Sequence, residues 1–196
     1  MMSKLFPWGL AFGLLALMVV GCDDDNHPCA TCPRSDPAEA AALDYIETHR
    51  AELGLRDEVD EVVPYRVQED DLGMIHVRCH QFYKGVRVWG GEMIVHLNAA
   101  LEVVHVSNGM FLNVVVDVKP VISRWTAGQT ARDHFHEDGY LVERGGVIES
   151  VVFRWLGGDY LCWSVVLRAM GGVDKREYFV DAHTGEIIYW RSSIIS

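Results

Sequence analysis

From residue 61 onward this chain is written almost entirely in twos. Apolar and polar residues alternate in short runs at 61–68, 73–83, 86–98, 101–107, 110–117, 140–144, 147–155, 160–169, 175–181 and 186–192, the period of strands with one buried face. Two stretches, one before residue 61 and one within this region, follow a different period. In "SDPAEAAALDYIETHRAELGL", Asp36 is placed as an N-cap, Pro37 as the first helical residue and Glu39 three positions after the cap; Leu43, Ile46 and Leu53 approximate one face and Gly54 supplies a stop. In "TAGQTARDHFHEDG", Thr126 and Gln129 have capping-box spacing, Ala127, Ala131 and Phe135 recur every four residues, and Gly139 ends the run. The order helix, then antiparallel strands, therefore occurs twice. The expected class is α+β, as two consecutive halves, each an α-helix packed on an antiparallel β-sheet, with a boundary near "DVKPVIS", residues 117–123. Six Trp, seven Tyr, seven Phe and many Val favour the same strand-rich answer.

One phase slip is informative. Ile75, Val77 and Cys79 share one strand face, with His76, Arg78 and His80 on the other. In the next strand Val86 and Val88 are in phase, but Met93, Val95 and Leu97 have the opposite parity. An extra residue is needed between them, and Gly90 with Gly91 marks the place of a predicted β-bulge. Lys84 and Gly85 make the hairpin turn that precedes it.

The N-terminus reads as an address. Lys4 precedes the apolar run "LFPWGLAFGLLALMVV", residues 5–20, too short and too broken by Pro7, Gly9 and Gly13 for a comfortable membrane span, so it is read as a secretory signal. It ends in "VVGC", which resembles the lipobox of bacterial lipoproteins. That resemblance implies cleavage before Cys22, lipid on Cys22, and a protein held by that lipid on the exported side of a bacterial envelope membrane; the leaflet stays open. Residues 22–35, rich in Asp and Pro, form a solvated tether.

Export places the four other cysteines in an oxidising compartment, where three pairings are possible. Cys29 and Cys32 are expected to close a small local disulfide, because a second C-x-x-C or a ligand-spaced His pair is missing. Cys79 and Cys162 lie inside predicted strands and are expected to pack as small apolar residues. A formal net charge of -11 has the wrong sign for following a phosphate backbone, so nucleic acid is not an expected partner.

The stretch "DLGMIHVRCHQFYKGVRVWGGEMIVHLNA" resembles the propeptide motif of fungalysin and thermolysin-type zinc metalloproteases, carried here by Asp71, Leu72, Gly73, His76, Val77, Arg78, Gln81, Lys84, Gly85, Val86, Val88, Gly90, Gly91, Glu92, Val95, His96 and Leu97. Further on, "REYFVDAHTGEII" is similar to the closing hairpin of a PepSY domain, with Asp181, Thr184 and Gly185 at its turn. The resemblance implies a cystatin-like and PepSY-like fold divided into a signal peptide (1–21), a tether (22–35), a propeptide-motif half (36–118) and a PepSY-like half (119–196). It also implies a thermolysin-type metalloprotease as partner, met by a sheet edge and by the tail from Trp190 to Ser196. The partner-binding candidates are His76, Arg78, Gln81, Lys84, Gly85, Val88, Gly90, Gly91, Trp190, Ile194 and Ile195. Four departures stand out: Cys79, His80, Arg87 and Trp89 replace an aromatic, Gln, Pro and Phe. In addition, Leu101 stands where the family turns on Gly. A branched residue in a left-handed turn costs about 1 kcal/mol, so that loop is expected to use another turn type.

The protease's own chemistry is missing from the sequence. "HEDGY", residues 136–140, puts Tyr140 where H-E-x-x-H needs a second His, and Gly139 interrupts the helix. His76, His80, His96 and His105 lie on strands that can be neighbours, but surface or hydrogen-bonded roles are favoured over metal ligation. Ser107, Ser123 and Ser164 lack a nucleophile-elbow context. The expectation is a non-enzyme without metal or cofactor that binds a metalloprotease as inhibitor or folding assistant. Alternatives are an envelope lipoprotein for another peptide or cell-wall partner, or the remnant propeptide of a truncated or split precursor.

Overall fold

The computed structural model describes residues 36–192. Cys22, Cys29, Cys32, Ile194 and Ile195 lie outside the described residues. Two helices, α1 (Pro37–Thr48) and α2 (Arg124–Glu137), accompany eight strands: β1 (Asp60–Glu69), β2 (Ile75–Tyr83), β3 (Val86–Leu97), β4 (Val103–Gly109), β5 (Val142–Trp155), β6 (Gly158–Ala169), β7 (Lys175–Asp181) and β8 (Ile187–Ser192). The chain is an α+β protein with a mostly antiparallel sheet, ordered β1-β2-β3-β5-β6-β7-β8 with β4 also paired to β3. The one parallel contact joins β3 to β5 at Val88 and Val152.

The caps are local chemistry. The Asp36 carboxylate accepts the Ala38 N–H at 2.8 Å and Pro37 needs no partner at the first turn. Ala38, Ala42 and Ile46 then fall on one stripe and are buried against Val77, Cys79, Met93, Val95 and Leu97. The helix stops at Thr48 rather than running to Gly54, with Leu53 reaching the same core from the following turns. In α2 the cap is Ser123, not Thr126: its hydroxyl accepts the Thr126 N–H at 3.1 Å, three residues before the expected start. Ala127, Ala131 and Phe135 form the buried stripe that the four-residue spacing predicts, against Val165, Leu167, Tyr178 and Val180.

Two expected strands are not separate elements. The runs at 140–144 and 147–155 merge into β5, whose register slips twice against β6. The alternating run at 110–117 is not a strand. Val114 is buried with Tyr83, Val88 and Val152, while side chains hold the backbone: Gln81 takes both polar groups of Phe111, and the Asp159 carboxylate accepts the Val115 N–H at 3.0 Å. Alternation marks burial, and here burial is reached without a ladder.

The predicted bulge is present and larger than expected. His80 faces Glu92 while Phe82 faces Arg87, so Gln81 stands opposite four residues of β3 and the strand carries three extra residues rather than one. Because three is odd, the parity still flips, taking Val88 and Met93 to the same buried side. Gly90 has φ 78°, and a Cβ on Gly91 would lie 2.5 Å from Gln81 Oε1. The bulge is also where β3 changes neighbours, from β5 at Val88 to β4 from Glu92 onward.

At the β3–β4 turn Leu101 keeps the left-handed conformation, with φ 63°, so the expected change of turn type does not occur. The Asn98 side chain accepts the Ala100 and Glu102 N–H groups at 2.9 Å, and Leu101 packs against the α1 core, which offsets the backbone cost. Strain and packing then nearly cancel. We expect Leu101→Gly to change stability by less than about 1 kcal/mol in urea unfolding.

Candidate functional site

Register decides which side of the sheet is available. Val77, Cys79 and Tyr83 share a face of β2 with Val88 across the hairpin; Val88 meets Val152, and Val152 meets Leu161, whose face continues to Val165 beneath α2. Both helices therefore lie on one side. Side chains of the opposite parity form a second face that no described helix covers.

At the β1–β4 end this face is polar and extensively paired. The Arg78 guanidinium donates to Glu92 at 3.1 Å, and the Tyr65 hydroxyl also meets Glu92. Tyr65 stacks on His80 with ring centroids 3.8 Å apart. His76 faces His96 and His96 faces His105 in register; His76 Nδ1 lies 2.8 Å from His96 Nδ1, His76 Nε2 lies 3.1 Å from Asp70 and His96 Nε2 lies 3.0 Å from Ser107 Oγ. Burial lowers the pKa of His96, aided by the neighbouring His76, His105 and Arg78. Burial lowers His80 too, with Arg87 beside it. Among the described residues, no three His, Cys, Asp or Glu side chains stand in metal-ligand geometry.

At the β5–β8 end the same face is aromatic. Phe153 and Phe179 stack at 4.1 Å, Trp89 lies edge-on to both at 5.6 and 5.0 Å, and Trp155 lies 4.4 Å from Tyr189. Trp89, Phe111, Phe153, Trp155 and Tyr189 line a cleft of about 230 Å³. Arg154 and Arg191 stand at its rim, each tied to a carboxylate, Asp159 and Glu177. The two ends are joined by the Arg87–Glu149 ion pair and by Trp89, whose indole N–H donates to Glu177 at 3.3 Å.

The candidate residues do not gather in one place. His76 and Arg78 lie on the helix-free face, His76 paired with Asp70 and Arg78 with Glu92. Gln81 and Val88 are buried on the helix side, and Gly91 is buried beside Gln81. Lys84 and Gly85 form the hairpin turn with φ 48° and 76°, the Lys84 ammonium 5.1 Å from the Tyr83 ring. Gly90 is exposed at the bulge. Trp190, on edge strand β8, lies opposite Tyr178 on the helix side, with the Arg176 guanidinium 4.3 Å above its ring. Tyr65, Asp70 and the Phe153, Trp155 and Tyr189 cluster were absent from the candidates. Strand parity pointed to their faces, but only pairing shows that the two ends share a side.

Cys79 and Cys162 are free and buried in separate clusters, one on each side of the sheet. Burial pushes the Cys79 thiol up to about 12 and raises Cys162 as well, so both are inert packing residues. Residues 60–110 match the family model described as Fungalysin/Thermolysin Propeptide Motif. The motif spans β1 to the end of β4, and its Gln81, Gly90 and Gly91 build the bulge. No curated protein matches the sequence. Among solved structures, the YpeB C-terminal domain of Bacillus megaterium is similar at 20% identity, over 81% of this chain and 64% of that chain, with a TM-score of 0.40. A Clostridium difficile 630 protein described as a lipoprotein is similar at 15% identity, over 78% of this chain and 92% of that chain, with a TM-score of 0.29. This chain thus spans less than two thirds of the Bacillus structure. No described helix is long and apolar enough to cross a membrane.

Proposed function

We propose that this chain is a propeptide-like module, exported and held at a bacterial membrane by lipid on Cys22, that docks onto a thermolysin-type zinc metalloprotease as inhibitor, folding assistant or both. The observation that carries this reading is the match to the propeptide motif at residues 60–110, which covers β1 to β4, the strands on which α1 packs. A prefolded surface of this kind stabilises whatever native or near-native state it binds, which assists a large protease fold whose non-local contacts form slowly. We read residues 36–118 as the propeptide-motif half and 119–196 as a PepSY-like half, each with one helix on its own strands. The helix-free face and the open β8 edge leading into Ile194 and Ile195 are the surfaces assigned to the partner.

The test is a titration of the full chain against a thermolysin-type enzyme from the same host, following peptidase activity and refolding yield. Inhibition or improved refolding at micromolar concentration is the expected result. Neither effect at that concentration overturns the proposal.

A further inference from the structure

The histidine row on the helix-free face has a proton count that its geometry fixes. The Asp70 carboxylate only accepts, and it is itself held by the Leu72 and Met74 N–H groups, so His76 Nε2 must be the donor to it. Neutral His76 is then bare at Nδ1, and the proton in the 2.8 Å contact belongs to His96 Nδ1. That leaves His96 Nε2 bare, accepting from the Ser107 hydroxyl. One tautomer set satisfies the whole chain. A first added proton settles on His96 Nε2, with Ser107 turning to accept, and the His–His bond survives with charge assistance. A second places two N–H groups face to face at 2.8 Å, and the contact must open.

The surroundings oppose that second proton. Arg66 of β1 stands in register with Arg78 of β2, and His105 of β4 faces His96. On β3, Glu92 is already matched by Arg78, and Asp70 in the β1–β2 turn is the remaining carboxylate against the row. We propose that the His76–His96 pair is a proton-counting clasp, closed with at most one added proton and open with two, and that partner docking selects its uncharged form. The second half rests on the docking proposed above. A partner that covers the row removes water from it, which disfavours imidazolium, so affinity falls as pH falls. Once the row is charged, the loss is on the order of tenfold per pH unit for each proton expelled on binding.

Imidazole C2–H NMR titration of the full chain tests the clasp without any partner. We expect the proton uptake of His96 to be coupled to its partner, so that His76→Gln changes the His96 titration. His105→Gln is expected to raise the His96 midpoint, because His105 is one of the neighbours that hold it down. Single independent steps, unchanged by substitution of the other histidine, overturn the clasp. The docking half is read from affinity for the thermolysin-type enzyme at pH 7.5 and 5.5: binding weakens in the native chain and is less pH-dependent in the His76→Gln, His96→Gln double variant. Affinity that is constant or tightens on acidification overturns that half. Failure to bind at either pH overturns the docking proposal alone, and the NMR result still decides the clasp.

Discussion

Replacing Arg176 by methionine is expected to cost about 3–5 kcal/mol of folding stability, read from urea unfolding, because it strands a buried carboxylate. The Arg176 side chain is 7% exposed and donates to Asp174, also 7% exposed, at 2.8 Å. It also pairs with Asp138 at the end of α2 and lies over the rings of Trp190, Tyr140 and Phe135. Methionine keeps part of the volume and none of the donors, leaving Asp174 with the Ser192 hydroxyl and the Lys175 backbone N–H in place of a guanidinium. The pH dependence has a definite sign. Burial alone would raise the Asp174 carboxyl, but Ser192 and Arg176 hold it below the usual carboxylate range. The bond from Arg176, outweighing slight desolvation, lowers Asp138 as well. A depressed carboxylate contributes stability above its unfolded pKa, near 4, and that contribution is lost as pH falls through the folded value. In the methionine variant the stranded Asp174 is instead easier to bury protonated. The gap between the two proteins should therefore narrow below about pH 4; a gap that widens in acid would show that Arg176 is not the stabilising partner.

Gln81→Ala is the second large effect, expected at about 2–4 kcal/mol. Gln81 is 1% exposed, and its amide takes the Phe111 carbonyl at 2.8 Å and the Phe111 N–H at 2.9 Å, standing in for a strand that residues 110–117 do not form. Truncation leaves a cavity and two backbone groups without those partners. The bulge predicts a coupling. Gly91→Ala alone drives a methyl to 2.5 Å from Gln81 Oε1 and 3.0 Å from its Cβ, and so should destabilise by well over 1 kcal/mol. In the Gln81→Ala background the 2.5 Å contact with Oε1 is gone, and only the Cβ contacts at 3.0 Å with residue 81 and 3.3 Å with Val88 remain. A double-mutant cycle should give a coupling of at least about 1 kcal/mol, and hydrogen exchange in residues 110–118 should rise in Gln81→Ala. Additive costs would mean that the two residues do not share the space that the bulge provides.

The bulge at Gln81, and not the surroundings of Arg176, is written in local sequence. Gln81 and the glycine pair announced themselves as part of a recognisable motif and as a break in strand phase. Arg176 sat unremarked in a strand, because nothing in "DKREYFVD" shows that Asp138, from the end of a helix, closes over it.

The chain's own order of residues determined what depends on neighbours within a few positions: the Asp36 cap, the Ala127, Ala131 and Phe135 stripe, the strand faces, and the parity flip at Gly90 and Gly91. Side-chain period and capping are short-range physics, and they leave a direct trace in the sequence. Tertiary structure decided what depends on pairing between distant segments. It put Val88 beside Val152, and so both helices on one side of a continuous sheet. It gave His76 the carboxylate of Asp70, and it aligned His76, His96 and His105 across three strands. Alternation states which face a residue takes but not which strand lies next to it, and register is settled only when the buried faces close on one another.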